Sequence, residues 1–198
     1  MYSSEKQVEK LTKYTGEMEV IKLRSCHITT AIERFDYIEL AVEFQALQLR
    51  KIIEQIVLCS LITNSEEYLE YYQRLGKVWN IQYICNDIEK INPSFLPVAV
   101  IDHHTKHVVN NNLDASMTKA ELLEIHEKMG KLLHARNPFS EKIDYYQYST
   151  YIGTCNKQIM EYLNTHIIKP YGEDDLVFVV MNSIDHNGQV AANWCTKV

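Results

Sequence analysis

Apolar residues recur along most of this chain at intervals of three and four, the spacing that places them on one face of an α-helix. Val8, Leu11, Met18 and Ile21 predict a first helix over residues 4–24, with Gly16 as its weak point. The longest helical pattern runs from about Thr30 to Ile62, with no proline or glycine to break it. Thr63-Asn64-Ser65 ends that pattern, and Ser65 begins another helix with Glu66 and Glu67 in its first turn. This helix carries Tyr68, Leu69, Tyr72 and Leu75, bends near Gly76, and continues through Trp79, Tyr83, Ile84 and Ile88 to Asn92-Pro93.

After Pro93 the pattern changes. The β-branched residues of PVAVIDHHTKHVV flank a polar turn and predict two short strands, near 97–102 and 106–110. Thr118 then opens a helix as a capping box with Glu121, and Leu122, Ile125, Met129, Leu132 and Leu133 form its apolar stripe. Asn137-Pro138 stops it, because a proline pushes the preceding residue toward an extended conformation. A tyrosine-rich loop leads to a helix over about 149–167, with Ile152, Ile159, Tyr162, Leu163 and Ile167 as its apolar positions. Strands at 176–181 and 189–196 surround the turn Asp185-His186-Asn187-Gly188, in which Asn-Gly is the hairpin signal. Isolated hairpins are marginal, so the two are expected to join in one sheet. The predicted class is mainly α (α+β). One domain, 1–198, combines a helical bundle (about 4–92 and 117–168) with a small antiparallel sheet from hairpins at about 97–110 and 176–197.

Two clusters of polar residues stand out against this pattern. At about 100° per residue, Asp36, Glu39, Glu43, Arg50 and Glu54 fall within one sector of the long helix, roughly 60° wide. Gln45, Gln48, Lys51 and Gln55 make a second sector, the expected solvent face. Two readings of the charged line compete: an Arg50–Glu54 pair one turn apart among solvated acids, or a line partly covered by another helix, which requires its charges to be paired. The second cluster closes the helix that Thr118 opens. His134 falls in its last turn, where carbonyl dipoles favour a cationic ring, beside Arg136 and Asn137 and one turn beyond Gly130. A functional cleft would bring His134 as acid–base group or anion contact together with Arg50 and Arg136 on phosphate, positioned by Asn137 and Glu43.

Composition narrows the classes. The chain is 46% hydrophobic and 23% charged, which suits a folded domain. A net charge of -6 argues against a broad nucleic-acid surface, though not against a local basic pocket. No apolar run reaches the roughly 20 residues that span a bilayer, and MYSSEKQVEK lacks the basic-then-apolar order of a signal peptide. Five scattered cysteines without a CxxC pair fit reduced thiols, so a cytoplasmic location is expected. The 13 tyrosines, clustered at 68–72 and 145–151, read as amphipathic packing rather than a platform for bases.

Other motifs carry less. Asp102-His103-His104 spells the signature of a metal-dependent phosphoesterase family, but the paired aspartates that chemistry needs are missing before it. His103, His104 and His107 have metal-ligating chemistry, yet a solvated hairpin turn explains them, and no metal or cofactor is expected. His126 shares the apolar face of Leu122 and Met129 and reads as a satisfied core histidine. Cys59 and Cys155 read as small hydrophobes. With 6 glycines in all, phosphate-cradling glycine loops are not expected.

Leu47–Leu58 (LQLRKIIEQIVL) and Leu132–Phe139 (LLHARNPF) together resemble the HEPN superfamily, across roughly residues 25–168. These helical domains are common in prokaryotic toxins, antiviral systems and nucleotide-handling proteins, and they commonly dimerise across their site. In active members an arginine a few residues before a histidine cleaves RNA by metal-independent acid–base chemistry. His134 matches that histidine. The arginine's window, Glu127-Lys128-Met129, offers only Lys128, which lies about 120° from His134 around the helix. The resemblance therefore implies a non-catalytic interaction module, or one binding RNA or a nucleotide, in a prokaryotic or phage defence or toxin–antitoxin system. The alternative it implies is a ribonuclease using His134 with a non-standard arginine, and a homodimer as working unit.

Overall fold

The computed structural model describes residues 5–63, 80–103, 108–135, 139, 142–170 and 175–195. Helix α1 (Glu5–Arg34) and helix α2 (Ile38–Thr63) form a long hairpin. Helix α3 (Ile81–Ile91) follows, then strands β1 (Val98–His103) and β2 (Val108–Asn111). Helices α4 (Lys119–Leu132) and α5 (Tyr145–Asn164) complete the described helices, and strands β3 (Thr165–Ile168), β4 (Leu176–Val180) and β5 (Ala191–Cys195) complete the sheet. The protein is thus mainly helical with a small antiparallel sheet. Of the helix expected from Ser65 through Trp79 to Asn92, residues 65–79 lie outside the described residues, and the remainder is not a continuation: Asn80 is extended and caps a separate start for α3. No described helix is long and apolar enough to cross a membrane.

The first two helices divide differently from the pattern's prediction. A break was expected between residues 24 and 30 and continuity from there to Ile62. Instead α1 runs through to Arg34, and the turn falls at Phe35-Asp36-Tyr37. Packing explains the choice. Turning there lays the α1 stripe of Tyr14, Met18, Ile21, Ile28 and Ala31 against Val42, Leu49, Ile52, Ile53 and Ile56 of α2 in one core. Phe35 closes the corner with its ring 5.4 Å from that of Phe44.

The glutamine sector of α2 is also corrected. Its three glutamines face other helices, while Lys51 is exposed as expected. Gln45, 4% exposed, donates to the Ile28 carbonyl at 2.9 Å and accepts from Ser149 Oγ at 3.0 Å. Arg24 of α1 donates to Gln48 at 2.6 Å and to Gln55 at 2.8 Å, and Gln55 donates to Glu17 at 2.8 Å. Glutamine is long enough to bridge two helices while satisfying its own amide, so a buried polar seam is tolerated here.

The start signal holds at α4, while the end falls at Leu132, short of Asn137-Pro138. Glu121 N–H donates to Thr118 Oγ1 at 3.3 Å, and Thr118 N–H donates to Glu121 Oε2 at 2.7 Å, closing the capping box. At α5 the start and the end both move. The helix begins at Tyr145, capped by Asp144, and stops at Asn164. Residues 165–167, expected as its last turn, belong instead to the strand Thr165–Ile168.

That strand makes the sheet. Its order is β2-β1-β3-β4-β5, with every pairing antiparallel. β3 lies between the two expected hairpins and joins them, with His166 opposite Ala99 on one side and Val179 on the other. At the far end Asn187 and Gly188 adopt positive φ of 53° and 79°, and Gln189 N–H closes the turn on His186 O at 3.0 Å.

Candidate functional site

On α2, Arg50 and Glu54 stand one helical turn apart, and on α4 His126 and Gly130 do the same. Glu54 meets His126 and Arg50 meets Gly130, so the two helices run antiparallel where they touch. The Arg50 Nε–H donates to Glu54 Oε1 at 3.1 Å. His126 Nε2 bonds to the same oxygen at 3.0 Å. A carboxylate oxygen only accepts, so the His126 proton is on Nε2.

Burial grades across this cluster. The His126 side chain is 11% exposed, that of Glu54 13% and that of Arg50 34%. The His126 hydrogen bond, reinforced by Arg50, holds the Glu54 carboxyl below its ordinary range against the opposing effect of burial. With its Nε committed to Glu54, the Arg50 guanidinium keeps its two terminal nitrogens for other partners.

These residues line a cleft of about 330 Å³. Ile81 and Leu123 supply apolar wall, and Asn80 and Gln82 bring the start of α3 to the same space. Asn80 Oδ1 caps that helix, accepting from the N–H of Gln82 at 2.9 Å. Lys131, His134 and Glu127 complete the lining, with Lys131 and Glu127 paired at 2.7 Å on the exposed side.

Of the residues singled out by sequence, His134 and Arg50 line this one cleft. His134 is not in the last helical turn. The helix ends at Leu132, Leu133 caps it by bonding to the carbonyls of Gly130 and Met129, and His134 follows in an exposed bend. Glu43 is exposed on α2 and does not line the cleft. Arg136 and Asn137 lie outside the described residues. The charged line is therefore covered only at its Arg50–Glu54 end: Glu39 and Glu43 are exposed on α2, and Asp36 is exposed in the turn before it.

Glu54 and His126 were missed as site residues, although a signal was present. His126, Gly130 and His134 recur every fourth residue, which places two imidazoles and a gap along one stripe. Lys128, the cation in the family arginine's window, is turned elsewhere. Its Nζ sits 3.5 Å from the centroid of the Tyr151 ring on α5. A second cleft, about 320 Å³, is lined by Asp114, Glu121, Glu124 and Glu161 together with Tyr151 and Cys155, a charge balance that repels phosphate. Among the described residues no three His, Cys, Asp or Glu side chains converge on a metal position, and His104 and His107 lie outside them.

Comparison of the chain with family models, with curated proteins and with solved structures finds no match.

Proposed function

We propose that the Arg50 cleft binds a phosphate-bearing ligand, RNA or a nucleotide, in a non-catalytic HEPN-like module of a prokaryotic or phage defence or toxin-type system. One observation carries the reading: Arg50 on α2 and His134 in the bend after α4, far apart in sequence, line one open cleft with Lys131. Arg50 is oriented by Glu54 through a single nitrogen, which leaves a planar pair of donors of the kind that grips phosphate oxygens. The apolar wall of Ile81 and Leu123 suits a base or sugar beside that phosphate.

The non-catalytic form is favoured because two candidate partners for acid–base work are otherwise engaged. Lys128 rests on Tyr151, and the His126 Nε2 is tied to Glu54. The ribonuclease alternative draws its support from the same placement of His134 and Arg50 on one cleft.

Fluorescence anisotropy with a labelled RNA oligonucleotide and with a labelled nucleotide tests the reading. Charge-assisted hydrogen bonds contribute about 1.5–3 kcal/mol, so Arg50→Gln should weaken binding by roughly ten- to a hundredfold. His134→Ala should weaken it too, with the melting temperature nearly unchanged because the ring is exposed. Wild-type protein that binds neither probe, or an Arg50→Gln variant that binds as well as wild type, contradicts the proposal. Cleavage of the RNA by wild type and not by His134→Ala supports the ribonuclease instead.

A further inference from the structure

We infer that Gly130 is a positioning residue of the Arg50 cleft, left without a side chain so that the guanidinium can lie against α4 at a fixed angle. The inference rests on reading the cleft as an anion site. Gly130 lies within α4, two residues before its last, and it is not among the glycines with positive φ. It does not terminate the helix either, because the cap is Leu133 in a right-handed conformation. Backbone geometry therefore does not require glycine, which is a poorer helix former than any residue except proline.

The space beside it argues for glycine instead. A Cβ built on Gly130 would stand 3.2 Å from Arg50 Nη1, inside ordinary van der Waals contact. The helical glycines Gly16 and Gly153 differ, since a Cβ at either meets nothing within 4 Å. Arg50 cannot simply slide aside while keeping its orientation. Its Nε is held by Glu54, and Glu54 is held in turn by His126. Pressure on Nη1 consequently swings the guanidinium plane about the Glu54 contact, moving the donors that would grip phosphate oxygens. Such paired donors need their plane held to roughly 10–20° as well as to half an ångström, and the turn of the plane is what a Cβ here would change.

Stability and binding should separate in Gly130→Ala. Calorimetric titration with inorganic phosphate and with adenosine monophosphate is the measurement, run beside thermal melting on wild type, Gly130→Ala, Arg50→Gln, Arg50→Lys and the Gly130→Ala/Arg50→Lys double variant. Gly130→Ala should bind about tenfold more weakly than wild type while melting at the same temperature or a few degrees higher. Lysine has no planar fork to misalign, so adding Gly130→Ala to Arg50→Lys should cause no further loss. Wild-type affinity in Gly130→Ala alongside lost affinity in Arg50→Gln overturns the positioning role and leaves the anion site standing. A melting temperature lowered by many degrees in Gly130→Ala also overturns it, because the glycine is then structural. If wild type binds neither probe, the anion site falls and this inference falls with it.

Discussion

Acidification from pH 7 to pH 4 should remove about 2–3 kcal/mol of folding free energy through His166 alone. This ring is fully buried in β3, between Tyr14 of α1 and the end of α5. Its Nδ1 lies 2.7 Å from the Leu163 carbonyl, which only accepts, so Nδ1 carries the proton. Nε2 is then the acceptor for the Tyr14 hydroxyl at 2.9 Å. Both nitrogens are satisfied in the neutral ring and neither partner is charged. Desolvation accordingly lowers the His166 pKa from 6.5 to about 4, only partly opposed by the Leu163 hydrogen bond.

The sign follows from proton counting. Between pH 6.5 and about 4 the unfolded chain takes up a proton at this position that the folded protein refuses. Stability is therefore complete above pH 6.5, declines through that window, and stays reduced below it. Imidazole NMR should show His166 as the neutral Nδ1–H tautomer down to pH 5, and His166→Gln should flatten the decline when each protein is referenced to its own pH 7 value. A His166 ring that titrates near pH 6.5 in the folded protein contradicts this account.

Glu54→Ala should cost about 2–3 kcal/mol, since one deletion strands two donors. Arg50 and His126 share Glu54 Oε1, and the carboxylate and imidazole are almost covered. Glu54→Gln keeps an acceptor oxygen of the same reach and should cost about half as much. The pH window differs from that of His166. The lowered Glu54 pKa means that its contribution is present above the ordinary value of 4.5 and is lost as pH falls through the lower folded value. Urea unfolding of the two variants at pH 7 measures the costs, and a loss below about 0.5 kcal/mol in Glu54→Ala would mean that the cluster does not fasten α2 to α4.

Elements set by local chemistry were legible in the sequence. The capping box at Thr118, the stop at Asn92-Pro93 and the Asn187-Gly188 turn each depend on residues within one helical turn or hairpin loop. The α1–α2 corner was not legible, because Phe35-Asp36-Tyr37 carries no proline or glycine and its place is decided by pairing two apolar stripes. Strand β3 was hidden for a related reason. Ile159, Leu163 and Ile167 keep helical spacing, so only pairing with β1 and β4 reveals Thr165–Ile168 as extended. The site divided along the same lines. His134 and Arg50 were visible as ionisable groups at a helix end and on a polar line. His126 was disguised by its apolar neighbours, and its partner Glu54 lies 72 residues away in sequence.

The central claim is that phosphate-bearing ligands enter the cleft beside Arg50. Arginine side-chain NMR tests it directly during titration with adenosine monophosphate. The Arg50 Nε–H resonance should shift and saturate together with the His134 ring, while Arg24, bound to Gln48 and Gln55, and Arg34, bound to His27, stay in place. Saturable shifts at Arg24 or Arg34 with Arg50 unmoved, or no saturable shift at Arg50 at all, would contradict the account.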